Sequence, residues 1–268
     1  MTMITFKSAT ELEAMRQSSR IVAAVLGELE PLIRPGLRTR ELDLYAEKRT
    51  RELGAVPAFK GYRGYPASVC VSVNEEIIHG IPSGRILQEG DIVSLDFGVL
   101  YEGFFSDSAL TVPVGRTSPE AGKLIAVAER SFFKGLEQMR EGRRLSDISA
   151  AIQQAVESEG FSVIRQFVGH GIGRSLHEEP QVPNFGASGR GPKIRPGMTL
   201  AIEPMIAAGG PDVEILEDGW TAVTRDRSLA AHYEHTVALT EDGPEVLSAR
   251  TPAAGRPRIP VAKESPHA

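Results

Sequence analysis

Five side chains stand out because each interrupts apolar or glycine-rich sequence: Asp96 in Val-Ser-Leu-Asp-Phe-Gly, Asp107 in Phe-Phe-Ser-Asp-Ser-Ala-Leu, His170 in Gly-His-Gly-Ile-Gly, Glu203 in Ala-Ile-Glu-Pro and Glu234 in Tyr-Glu-His-Thr-Val. A lone aspartate in such a place is ordinarily a turn or strand-end residue facing water, since charged groups are seldom buried unpaired. Four carboxylates gathered in a half-buried cleft are another matter, because they repel one another strongly unless cations stand between them. Four carboxylates and an imidazole suit hard to borderline divalent ions such as Mn, Fe, Co or Zn, and bridging carboxylates can hold two of them. Two such ions about 3.5 to 4 Å apart activate water and polarise a carbonyl, which makes hydrolysis of an amide the natural chemistry. The glycine string around His170 also resembles a phosphate loop, but without a following Lys-Ser/Thr that signal is weak.

Elements of both kinds must position these groups. Residues 92–96 read as a strand, and Asp107 follows Asp96 by eleven residues. A hairpin through Tyr101-Glu-Gly103 lays the two strands side by side and lets the carboxylates converge. Upstream, Leu12, Met15, Ser19, Val22, Val25, Leu26 and Leu29 recur at helical spacing from Ser8, and Pro31 and Pro35-Gly36 close that helix. A second helix is expected over 41–53, capped by Thr39 or its neighbour and stopped by Gly54. Residues 68–73 alternate as a strand and 86–90 form a turn.

A weak internal repeat ties the two halves together. Ile33-Arg-Pro-Gly36 matches Met139-Arg-Glu-Gly142 at an offset of 106, Gly54 then falls on Gly160, and at one residue more Glu89 to Asp96 falls on Pro196 to Glu203. The same strand therefore ends in a carboxylate in both copies, and Glu234 follows like Asp107 in the next strand. Ordered helix, glycine, strand and acidic residue predict duplicated halves, about 33–112 and 139–240, packed about a pseudo-two-fold axis within one catalytic domain over 1–248.

Length and composition permit this. At 268 residues, with 41% hydrophobic and 24% charged residues, the chain is an ordinary globular one with room for a large core. A net charge of −5 argues against nucleic acid as the main partner. Cys70 stands alone and excludes a cysteine-rich zinc module or an internal disulfide, which fits a reducing compartment. No stretch reaches the roughly 18 apolar residues of a membrane span, and the N-terminus lacks a signal-peptide layout, so the cytoplasm is expected. Residues 249–268 hold four prolines and little periodic apolar content, the pattern of a flexible tail.

His79-Gly-Ile-Pro, Asp96, Asp107, Gly169-His170-Gly-Ile-Gly, His177-Glu-Glu-Pro, Ile202-Glu203-Pro-Met and Tyr233-Glu234-His-Thr resemble the motifs of type I methionine aminopeptidases over about residues 5–248. The resemblance implies an α/β pita-bread fold: two pseudo-symmetric halves of curved antiparallel sheet, helices outside, and a central two-metal cleft. It implies that Asp96, Asp107 and Glu234 hold one divalent ion and Asp107, His170, Glu203 and Glu234 the other, drawn from Co, Mn, Fe, Zn or Ni. It further implies that His79 lies near the substrate amide nitrogen, that His177 hydrogen-bonds the scissile carbonyl, and that Glu203 shuttles the proton of the attacking water. The same likeness puts Tyr62, Tyr65, Cys70 and Trp220 around an apolar methionine pocket. Leu176 departs from the phenylalanine expected before His177 and loosens one wall. The implied activity is removal of the initiator methionine from nascent polypeptides whose second residue is small, by a short-form monomer in transient contact with the ribosome.

Two rivals frame the test. Prolidases and aminopeptidases P share the five-ligand cleft but carry a further N-terminal domain, for which the first motif here arrives too early. Non-catalytic pita-bread proteins typically lose ligands, and here all five positions are filled.

Overall fold

The computed structural model describes residues 3–250. Its helices are α1 (Ala9–Leu29), α2 (Thr39–Glu52), α3 (Pro119–Leu136) and α4 (Leu145–Glu157). Its strands are β1 (Val56–Pro57), β2 (Cys70–Val73), β3 (Glu76–Ile78), β4 (Ile92–Tyr101), β5 (Phe104–Pro113), β6 (Ser162–Val163), β7 (Gly169–Gly171), β8 (Glu178–Val182), β9 (Thr199–Ile202), β10 (Met205–Ala207), β11 (Val213–Ile215), β12 (Ala222–Thr224), β13 (Ala230–His232), β14 (Glu234–Thr240) and β15 (Gly243–Val246).

Local chemistry explains the ends. Ser8 and Glu11 form a reciprocal capping box that opens α1, and the apolar residues at helical spacing form its buried stripe. The second helix starts earlier than its pattern suggests, with Arg38 at the cap. Its backbone N–H donates to the Glu41 carboxylate, while the Thr39 hydroxyl is occupied with the backbone of Ser83. The hairpin between β4 and β5 turns through Glu102 and Gly103, both with positive φ, which matches the twist of the flanking strands.

The central antiparallel sheet runs β1-β4-β5-β14-β9-β7-β8, with β2 also on β4 and β15 also on β14. It is symmetric about the seam between β5 and β14, where β4 flanks one side and β9 the other. The helices obey the same relation. Arg38 and Arg144 precede α2 and α4, and Glu41 and Asp147 reach back to their N–H groups at the same offset. Gly36 and Gly142, and Gly54 and Gly160, share left-handed backbone.

One core cluster packs Val22, Val25, Leu26 and Leu29 of α1 against Val93, Leu95 and Phe97 of β4; a second packs Leu124 and Phe132 of α3 and Ile148 and Ile152 of α4 against Leu200, Ile202 and Val237. Side chains alternate along a strand, so burying Leu95 and Phe97 under the helices aims Asp96 at the opposite face. Each buried Leu or Phe contributes roughly 1.5–3 kcal/mol, and a slip of one residue would forfeit all of them at once. Between Glu203 and Glu234 the chain departs on an excursion whose strands join β6 and β3 in two three-stranded sheets, β13-β10-β6 and β11-β12-β3. The residues read as a proline-rich tail lie, from 251 onward, outside the described residues.

Candidate active site

Strand register brings the five chemical residues onto one face in two adjacent rows. Cys70 pairs with Asp96, Asp96 with Ala109, and Ala109 with Glu234. His235 pairs with Ile202, which carries this row on to Glu203 just beyond the end of β9. In the second row Gly98 pairs with Asp107, Thr236 with Ala201, and Ala201 with His170. The Thr236 hydroxyl closes the middle of that row by bonding both backbone groups of Asp107. Small residues, Ala109, Gly98 and Ala201, floor the space beneath the longer side chains.

The glycines beside His170 have a packing purpose. A Cβ on Gly169 would meet the carbonyl oxygen of Ala201, and one on Gly171 that of Glu179. The string is a strand squeezed between neighbours and not a phosphate loop.

Asp107, Glu203, Glu234 and His170 are buried, and Asp96 is half-buried. One carboxylate oxygen each of Asp96, Asp107 and Glu234 has no hydrogen-bond partner. Burial, reinforced by repulsion from the neighbouring acids, pushes the carboxyls of Asp96 and Glu234 well above their ordinary range; Glu203 is raised in the same way. Burial raises Asp107 to about 7. Acids held so unfavourably are explained by cations among them. His170 points to the same answer. Its Nδ1 lies 2.9 Å from the carbonyl oxygen of Gly171, an atom that only accepts, so Nδ1 carries the hydrogen and Nε2 presents a lone pair. Ligand atoms of Asp107, His170 and Glu234 all lie within 4.8 Å of one another. The donor set fits a divalent metal.

The cluster sits at the bottom of a cavity of about 190 Å³ that also meets His79, His177, Tyr62, Tyr65, Cys70, Leu176 and Trp220. All the residues expected at the site therefore share one cavity. His79 has left-handed backbone, φ 60°, and packs edge-on against Phe167 and Trp220. The His177 ring lies 4.2 Å from that of His170 between centroids and stacks on Tyr62, whose hydroxyl sits 2.9 Å from Nδ1. Burial lowers His79 and His170 to about 4 and His177 to about 3, so these imidazoles are neutral near pH 7. Cys70 is both core and wall, cross-strand from Asp96, and burial pushes its thiol up.

Phe59, Arg63, Ile78 and Phe167 line the cavity without having been expected from the sequence. The hydrogen bond that makes Tyr62 a partner of His177 was equally invisible, because the two are 115 positions apart. His232, buried beside Glu203 and Glu234, was also missed. Its place two residues before Glu234 was the available signal, since positions i and i+2 of extended chain share a face.

Residues 13–241 match the model of metallopeptidase family M24. The chain is 54% identical over 246 residues to the methionine aminopeptidase of Clostridium perfringens, covering 92% of this chain and 99% of that one. The chain belongs to the methionine aminopeptidases of metallopeptidase family M24. The crystal structure of the Thermotoga maritima methionine aminopeptidase superposes on this M24 chain with a TM-score of 0.90, at 46% identity and coverage of 92% and 99%. A prolidase from Pyrococcus furiosus shares the fold alone, at TM-score 0.76 and 21% identity, and this M24 chain covers only 66% of it.

Proposed function

We propose that the chain removes N-terminal methionine from new polypeptides, using two divalent ions held by the carboxylate and imidazole cluster. Asp96, Asp107 and Glu234 would hold one ion and Asp107, His170, Glu203 and Glu234 the other, so that Asp107 and Glu234 would serve both. The observation that carries this reading is the lone pair of His170 Nε2 presented to the buried carboxylates of Asp107 and Glu234. Bound ions supply Lewis acidity toward the scissile carbonyl and lower the pKa of water.

The protein's own groups do the rest. Glu203, within the cluster but also 3.6 Å from His170 Nε2, takes the proton of the attacking water and delivers it to the departing amine. With the Tyr62 phenol donating to Nδ1, His177 carries its hydrogen on Nε2 and offers it to the developing oxyanion, a contribution of about 3 kcal/mol in comparable sites. His79 lines the same cavity and holds the amide nitrogen. Tyr65, Cys70, Leu176 and Trp220 enclose the methionine side chain, while the crowding of Tyr62, Phe167, His79 and His177 around the same space favours a small second residue.

No helix among the described residues is long and apolar enough to cross a membrane. The reading extends to a cytoplasmic monomer that meets nascent chains in transient contact with the ribosome. Protein loaded with Mn²⁺ should release methionine from Met-Ala-Ser far faster than it cleaves a peptide with proline in second position. Glu203→Gln should lower kcat by about 10² to 10⁴. No methionine release by the loaded protein, or faster cleavage before proline, would overturn the reading.

A further inference from the structure

The imidazole of His232 has no partner in a place where one is expected. It is 1% exposed, and neither ring nitrogen has a hydrogen-bond partner. Its backbone is clamped on both sides by Thr111, whose hydroxyl accepts from the His232 N–H and contacts its carbonyl oxygen, each at 2.9 Å. The ring is thus carried on a backbone held in place and is enclosed away from water. His235, three residues away on the opposite face, is the instructive contrast: its nitrogens meet the hydroxyls of Ser108, Ser248 and Tyr233.

What His232 faces is acidic. Its Nε2 lies 3.8 Å from Oε2 of Glu203 and 4.0 Å from Oε2 of Glu234. On its other oxygen, Oε1, Glu203 faces Nε2 of His170 at 3.6 Å. Glu203 thus stands between two imidazoles, and these are not equivalent. His170 has its hydrogen on Nδ1, given to Gly171, so its Nε2 has nothing to donate. Of these two imidazoles, only His232 can supply a hydrogen bond to this carboxylate. The gap exceeds hydrogen-bond length by less than 1 Å, a distance closed by a small rotation of the Glu203 side chain or bridged by one water.

We propose that His232 is a positioning residue that carries its hydrogen on Nε2 and holds Oε2 of Glu203, fixing the rotation of that carboxylate. Oε1, which faces His170, would then remain available to a bound cation and the attacking water. The inference rests on the reading of Glu203 as ligand and proton shuttle, and it adds the group that aims it.

Three measurements on the full chain decide it. In ¹⁵N-histidine-labelled wild type loaded with Zn²⁺, long-range nitrogen–proton correlations should show the His232 hydrogen on Nε2, the resonance being assigned by its loss in His232→Gln. His232→Met, which keeps an apolar side chain of useful length, should lower kcat on Met-Ala-Ser and Mn²⁺ affinity by calorimetry by about tenfold each, with KM within about twofold. His232→Gln, whose amide N–H can reach the same oxygen, should return both to within about threefold of wild type. A hydrogen on Nδ1, a Met variant with unchanged kcat and affinity, or a Gln variant no better than Met would each overturn the proposal. If the Met variant does not fold, the wild-type tautomer alone decides. Failure of wild type to bind Mn²⁺ or release methionine would instead sink the two-metal reading, and the tautomer would still judge His232.

Discussion

The two halves of the molecule meet the same cleft with different means. The first half offers a long regular hairpin, β4 and β5, paired without interruption from Ile92 with Pro113 to Tyr101 with Phe104. It delivers only carboxylates, Asp96 and Asp107, eleven positions apart. In the second half the equivalent strands are short, and Glu203 and Glu234 are separated by the excursion through residues 205–232. That half supplies every imidazole of the cluster, and its excursion carries Trp220 and His232 to the site. The comparison teaches a division of labour within the cluster: the regular copy supplies carboxylates alone, and the interrupted copy adds imidazoles beside its own acids.

Asp107→Asn should break the site most completely, because the proposed bridging acid lies on the regular hairpin. Loss of kcat/KM by at least about 10³ is expected, with fewer than two Mn²⁺ bound per chain in calorimetry. The same substitution tests the electrostatics. Asp107 has its carboxyl raised from 3.8 to about 7 in the metal-free fold, so the folded state binds more protons than the unfolded one between those values and loses stability as pH rises through them. Asparagine abolishes that loss. In chelator the variant should therefore melt several degrees above wild type at pH 7.5, correspond to about 2–4 kcal/mol, and show no advantage near pH 4. An equal melting difference at both pH values would contradict the account of charge held against its preference.

On the interrupted half, Trp220→Ala should raise KM for Met-Ala-Ser by about tenfold with a smaller change in kcat, since it opens a wall of the side-chain pocket and touches no proposed ligand. A kcat loss matching that of Asp107→Asn would erase the distinction between the halves. Tyr62→Phe, in the first half but acting on His177 of the second, should lower kcat about fivefold, the worth of one hydrogen bond of roughly 1 kcal/mol. Leu176→Phe is expected to be the mildest, shifting preference for methionine over shorter aliphatic residues by about threefold, as read from competing peptides.

Much of this arrangement was legible before any coordinates. The offset between the copies predicted matched helices, and the Tyr101-Glu-Gly103 hairpin predicted that Asp96 and Asp107 share a face. Those signals are local or periodic, and the core enforces them. What escaped was set by contacts between distant segments. Nothing near Tyr62 foretells a hydrogen bond to His177, and His232 in Ala-Ala-His is marked only by its i, i+2 spacing to Glu234, with no sign of Glu203. Between Thr39 and its neighbour, both offered as the cap, a distant contact decides: the Thr39 hydroxyl bonds the backbone of Ser83, and Glu41 reaches back to cap the helix at Arg38.

The two rows of cross-strand pairs also determine where this chain can tolerate a change of length. A residue added or removed within β4, β5, β9 or β14 would turn a ligand from the cleft to the helix side, and no compensating substitution nearby could turn it back. The excursion between Glu203 and Glu234 obeys a looser rule, because its turns can lengthen while its ends stay pinned by the sheet. Differences in chain length among relatives that keep the cluster should accordingly gather in the turns of residues 208–229 and at the tip of the first hairpin, and stay out of the four strands that carry the acids.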